Sequence, residues 1–164
     1  MCLVDGTGLQ SSLEIHKAAI DYFQKFLGDS RRIDLPDLSD FVSPVIDAGE
    51  NSSLCQDPSM EEIKNALFSI PIDSGLGLDS FGSDFYRVCW DFIKDDLLEA
   101  VIEFFHTKSF PRFYMTSYIV LIPKVDKPSG FDKFRPISLC SVIYKVYSKI
   151  LAARLTSLLS KMIS

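Results

Sequence analysis

One stretch constrains the fold more than any other. Residues 117–124, "SYIVLIPK", are short, apolar and β-branched. "VDKPSGFDK" follows with Pro128 and Gly130, and a second extended piece spans Phe134 to Ile137. A β-branched run bounded by turn residues is a strand feeding a turn, so the chain is expected to build a β-hairpin here. Pro136 lacks an amide donor, which puts the second piece at a sheet edge or makes it irregular. Most other patterned segments follow the helical period, and the expected class is α+β, helix-rich.

Residues 12–27 place Leu13, Ala19, Ile20, Phe23 and Leu27 near one side of a helix, and Gly28 follows as a stop. From Asp29 to Asp57 the chain is acidic and carries Pro36 and Pro44, a loop or linker with at most a short strand at Phe41 to Ile46. Ser59 and Glu62 predict a capping box opening a short helix that faces Ile63, Ala66 and Leu67 inward and ends before Pro71. Residues 71–84 are rich in breakers and predict a loop. Asp84 to Ser109 runs without Gly or Pro. Phe85, Val88, Cys89, Phe92, Leu97, Val101, Phe104 and Phe105 give a long helix, with a break expected near Lys94 to Asp96. From Ser141, Val142, Ile143, Val146, Ile150, Leu151, Leu155, Leu158 and Leu159 form a core stripe, with Lys145 and Lys149 expected on the exposed side.

The net charge of −5 averages two unlike halves. Residues 1–110 hold 8 Lys/Arg against 20 Asp/Glu, and residues 111–164 hold 9 against 2. A positive field attracts phosphate-rich partners and an acidic one repels them, so any nucleotide or nucleic-acid contact is expected in the C-terminal third. Charge alone leaves open a solvated surface paired with an acidic neighbour.

No apolar stretch approaches the roughly 20 residues needed to span a bilayer, and no basic segment leads into an apolar run at the start. The expectation is an intracellular protein, nuclear or cytoplasmic, neither secreted nor membrane-bound. Cys2, Cys55, Cys89 and Cys140 lack zinc-ligand spacing and are expected as free thiols. His16 and His106 have no nucleophile pattern beside them, and the glycines form no phosphate loop.

Lys124 closes the first strand and Arg135 opens the second. Neighbouring strands would let a point charge and a planar fork converge on one polyanion, a pairing suited to a triphosphate. On spacing alone, two surface cations flanking a turn are the simpler reading.

The motifs add a resemblance. "LIPK", a short loop and then "FRPISLCSVIYKVYSKILAARL" resemble the fingers segment of reverse transcriptases, the RNA-directed DNA polymerases, from plant-type non-LTR (long interspersed element) retrotransposons. "SMEEIKNALFSI" is similar to the helix opening that polymerase domain, and "SGLGLDSFGSDFYRVCWDFI" to its glycine-rich loop and aromatic helix. "SFPRFYMTSYIVLIPK" resembles the approach to the first strand, and "EIHKAAIDYFQKFLG" the segment joining an upstream endonuclease to the polymerase. The resemblance implies residues 1–57 as a linker with one helix, and residues 58–164 as the N-terminal, fingers part of the polymerase domain, truncated before the palm.

The resemblance also implies roles. Lys124 and Arg135 would bind the phosphates of an incoming deoxynucleoside triphosphate, and Lys145 and Lys149 would lie along the RNA template or DNA primer. A solvated helix face is an equal reading of the last two. Magnesium would serve the full-length parent, held by palm carboxylates that have no counterpart here. Asp126 and Asp132 sit in the turn beside Lys127, Pro128 and Lys133, without metal-ligand spacing. The fragment is therefore expected to hold no cofactor and no catalytic residue, to lack activity without its missing palm, and to expose apolar surface meant for it. The alternative is a helical interaction module or a nucleic-acid-binding protein without enzymatic activity. In the glycine-rich loop, Leu76 and Leu78 replace the family's prolines, Ser80 its glycine and Ser74 its lysine. Losing two prolines frees the unfolded loop.

Overall fold

The structure, a computed structural model, describes residues 8–28 and 44–163. They divide into two compact units, and the hairpin strands run from one into the other.

The first unit combines helix α1 (Ser12–Gly28) with the body of a two-stranded ribbon, β1 (Tyr118–Pro123) and β2 (Phe134–Leu139). The start of α1 is fixed reciprocally: the Ser11 hydroxyl accepts from the Glu14 amide at 3.1 Å, and the Glu14 carboxylate accepts from the Ser11 amide at 3.2 Å. Phe23 is the buried anchor of α1, edge-on to Phe131 with ring centroids 6.3 Å apart. Phe131 opens a short 3-10 turn, Phe131–Lys133, that delivers the chain into β2. Leu13, Ile20 and Leu27, expected to face inward, are exposed. Two strands are too narrow a platform to cover a whole helix face, and only the row through Phe23 is sealed. Pro136 fits because each strand of such a ribbon has a free edge.

The second unit holds α2 (Ala48–Leu54), α3 (Met60–Phe68), α4 (Ser83–Val88), α5 (Trp90–Thr107), the single turn α6 (Arg112–Met115) and α7 (Val142–Met162). Its core is Ile63, Ala66, Leu67 and Ile70, then Tyr86, Trp90, Leu97 and Val101, then Val142, Val146, Tyr147 and Ile150. Each fully buried aliphatic side chain there contributes about 1.5–3 kcal/mol. Phe104, Phe110 and Tyr147 meet edge to face beside it, and the Tyr147 hydroxyl donates to the Ala100 carbonyl at 2.7 Å. Burial pushes that phenol up to about 12.

Several expectations need correction. Residues Phe41–Ser43 of the expected short strand lie outside the described residues, and Pro44–Ile46 are not strand. Helix α2 follows instead, opened by a capping box in which Asp47 and Glu50 accept each other's amides at 2.8 and 3.1 Å. It buries no residue, so it has no apolar period to read. At Ser59 only the hydroxyl half of the expected box forms, because the Glu62 carboxylate is taken by Arg154.

The long helical run breaks at Cys89, between α4 and α5, while Lys94, Asp95 and Asp96 stay helical. Their charges point to water, and Lys94 pairs with Asp91 at 3.7 Å. The inward stripe keeps the expected Leu97 and Val101 but runs through Tyr86 and Trp90 in place of Phe85, Val88 and Phe92. Phe85 is exposed, and Val88 and Phe92 are 83% and 88% exposed. In α7 the buried set includes Tyr147, while Leu151, Leu155 and Leu159 face outward.

The loop between α3 and α4 is pinned where the backbone comes closest to α7. A Cβ on Gly77 would lie 2.6 Å from both Cα and N of Ser141, so only glycine fits. Ser80 adopts a left-handed φ of 59°, the position where the resembling family has glycine. The buried Ser83 hydroxyl donates to the Pro71 carbonyl at 3.0 Å and closes the loop.

Candidate functional site

The ribbon decides where Lys124 and Arg135 stand. The Lys124 amide donates to the Lys133 carbonyl at 2.8 Å, carrying the ladder one residue past β1. Side chains two apart on a strand share a face, so Arg135 projects from the same side as Lys124. Such diagonal neighbours lie roughly 7–8 Å apart. The alternation in β2 agrees, with Phe134 and Pro136 half-buried and Arg135 and Ile137 exposed.

Lys124 and Arg135 are among the residues around a cavity of about 340 Å³ inside the first unit, whose ribbon wall includes the half-buried Phe134 and Pro136 on the face opposite Arg135. The Lys124 ammonium donates to the Asp132 carbonyl at 2.9 Å, which aims it along the turn. The Asp132 carboxylate is engaged by Lys133 at 2.8 Å, and that hydrogen bond holds its carboxyl below the usual range. Lys133 is raised in turn by the same partner. The Arg135 guanidinium makes no hydrogen bond or ion pair among the described residues. The site thus offers one partly engaged ammonium and one uncommitted planar fork, with its carboxylate already neutralised, a set of charges that suits a polyanion.

Lys145 and Lys149 belong to the second unit, and neither is the exposed lysine that was expected. Lys145 Nζ donates to the Ser74 hydroxyl at 2.8 Å and to the Gly75 carbonyl at 2.5 Å, holding the glycine-rich loop against α7. Partial burial lowers its pKa. Ser74 stands where the resembling family has lysine, and a lysine there would set two ammonium groups against each other. Lys149 lines an open trough between α3 and α7 together with Glu61 and Glu62.

Three residues had no signal in their own segments. Tyr22 and Phe26 reach the cavity only because α1 docks on a ribbon about 100 residues further along the chain. Arg154 was an unremarked helix residue, yet it binds both oxygens of Glu62 and the carbonyls of Leu54 and Gln56. Among the described residues no group of three or more His, Cys, Asp or Glu side chains is placed to hold a metal ion. No described helix is long and apolar enough to cross a membrane.

No protein-family model matches the chain. Over 161 residues, 97% of its length, it is 28% identical to a protein of the frog Xenopus laevis described as the transposon TX1 uncharacterized 149 kDa protein. The aligned region is 12% of that protein's length. The helix-rich α+β chain with its single described hairpin is therefore similar to one segment of a much longer transposon protein.

Proposed function

We propose that the chain is the N-terminal, fingers portion of a reverse transcriptase from a non-LTR retrotransposon, and that Lys124 and Arg135 hold the phosphates of a deoxynucleoside triphosphate. The observation that carries this reading is the ribbon register, which sets those two side chains on one face. The ordered resemblance of five segments to that polymerase family supports it, as does the similarity to a transposon protein along almost the whole chain.

On this reading the ribbon contributes positioning and charge. Lysine meets a phosphate as a point charge, and arginine meets two oxygens at once. Neutralising phosphate charge in this way stabilises a transferring group without making or breaking bonds. The residues described do not fit a magnesium site, and no nucleotidyl-transfer step is assigned to them. That chemistry, and contact with template and primer, would fall to a palm region outside this chain. The exposed stripe of Phe85, Val88 and Phe92 is then surface for the rest of the polymerase to cover.

Calorimetric titration of the full chain with dATP, without metal, tests the reading. Binding is expected to weaken with rising salt, and by roughly tenfold in Lys124→Ala and in Arg135→Ala, the usual effect of losing a charge-assisted hydrogen bond. Affinities unchanged in both variants would remove the assigned roles.

A further inference from the structure

The two outer edges of the ribbon are not alike. The Lys124 amide points at β2. By strand alternation those of Ile122 and Val120 do so too, and the amides and carbonyls of Leu121 and Ile119 point away from β2. On β2 the residue opposite Leu121 is Pro136, which stands at an outward position with no amide to offer. β1 carries no charge and no proline before its last residue, so it lacks the usual protections of an edge strand. Among the described residues no third strand pairs with it.

The helix above that edge is also incompletely covered. An open groove of about 400 Å³ lies between α1 and β1, with Ile20, Phe23 and Leu27 on its helix side and Ile119 and Leu121 on its ribbon side. Phe134 and Pro136 of β2 instead wall the other cavity that Phe23 borders. The groove therefore belongs to the β1 side of the ribbon, where a further strand would lie. Ile20 and Leu27, which the ribbon leaves exposed, are the side chains such a strand would cover.

We propose that β1 pairs antiparallel with β1 of a second copy of this chain about a two-fold axis at Val120, forming a four-stranded sheet with both α1 helices on one face. In that register Ile119 of each copy exchanges both backbone hydrogen bonds with Leu121 of the other, so the outward groups of both residues are satisfied. Opposed residues share a face, and Ile119 and Leu121 of each copy come beneath the groove of the other. Val120 meets its own counterpart on the face turned away from α1. A second copy fits because the strand is uncharged and meets itself without apposed like charges, and one operation closes both grooves. A strand bearing charges would set them against Ile20 and Leu27. Pairing of this kind is isologous, and Pro136 blocks the edge that remains, so association stops at a dimer.

The test is sedimentation equilibrium of the full chain over a concentration series. Wild type is expected to dimerise. Val120 is exposed, so Val120→Lys and Val120→Glu are expected to fold as wild type does. Each sets like charges face to face at the axis and is expected to weaken the dimer by roughly a hundredfold. An equimolar mixture of the two variants should dimerise again, and Val120→Thr should stay dimeric. A wild-type chain that is monomeric throughout overturns the proposal, as does a dimer that persists in Val120→Lys or a mixture that stays monomeric. Hydrogen exchange reads the same interface without any substitution. The Ile119 and Leu121 amides should be protected in concentrated wild-type chain and exchange freely on dilution, and equally fast exchange at both concentrations overturns the pairing.

Discussion

The guanidinium of Arg154 clasps both oxygens of Glu62, Nε to Oε1 at 2.7 Å and Nη2 to Oε2 at 2.8 Å, tying α7 to α3. The same arginine donates to the carbonyls of Leu54, the last residue of α2, and of Gln56 beyond it, and stacks 4.9 Å from the centre of the Phe105 ring. Four helices of the second unit, α2, α3, α5 and α7, thus meet at one side chain that is only 13% exposed. Arg154→Ala leaves a half-buried carboxylate and two carbonyls without their donor. It is expected to cost about 2–4 kcal/mol, read as a lower urea midpoint. A loss under about 0.5 kcal/mol contradicts the assignment.

The same pair sets a pH dependence. The hydrogen bond from Arg154 is the largest influence on Glu62 and lowers its pKa from the ordinary value of 4.5, while burial opposes it. A carboxyl depressed in the folded state contributes stability that is fully present above its unfolded pKa and is lost as pH falls through its folded one. Wild type should therefore exceed Glu62→Gln in melting temperature at pH 7, and the gap should close progressively below about pH 4.5. A gap that is constant with pH contradicts the linkage.

In the glycine-rich loop two substitutions should act in opposite directions. Gly77→Ala drives a methyl into the Ser141 backbone and is expected to cost about 2–4 kcal/mol, because neither chain segment can yield cheaply. Ser80→Gly relieves a left-handed residue at some cost in unfolded-chain entropy, for a net gain of about 0.5–1 kcal/mol. Thermal melts of the two variants should move to opposite sides of wild type.

Lys145 should behave as a latch on that loop. Lys145→Ala removes the donors to Ser74 and Gly75 and is expected to lower stability by about 1–2 kcal/mol. It should also speed proteolysis within residues 71–82. A variant as resistant as wild type would show that the loop holds without it.

The hairpin and the main helices were legible because their signals are local. β-branched residues, Pro128 and Gly130 specify a ribbon within about 20 residues, and that ribbon fixes Lys124 relative to Arg135. What escaped was set by partners distant in sequence. Lys145 looks like a solvated lysine until Ser74, 71 residues away, is brought beneath it. Glu62 is a capping residue by its spacing and an ion-pair residue by its position against Arg154, 92 residues on. Helical periodicity placed Leu97 and Val101 inward, as they are, but also predicted inward faces for Val88 and Phe92, where Tyr86 and Trp90 pack instead. Nothing in residues 12–28 alone could show that Tyr22 and Phe26 would line a cavity against Phe131, Phe134 and Pro136 of the ribbon.

The most direct measurement is the affinity of the full chain for dATP in wild type, Lys124→Ala, Arg135→Ala and the double variant at one low salt concentration. A shared triphosphate predicts that each single change weakens binding roughly tenfold and that the double variant departs from the roughly hundredfold loss that independent effects would give. Four equal affinities would contradict the claim that these two side chains hold one ligand.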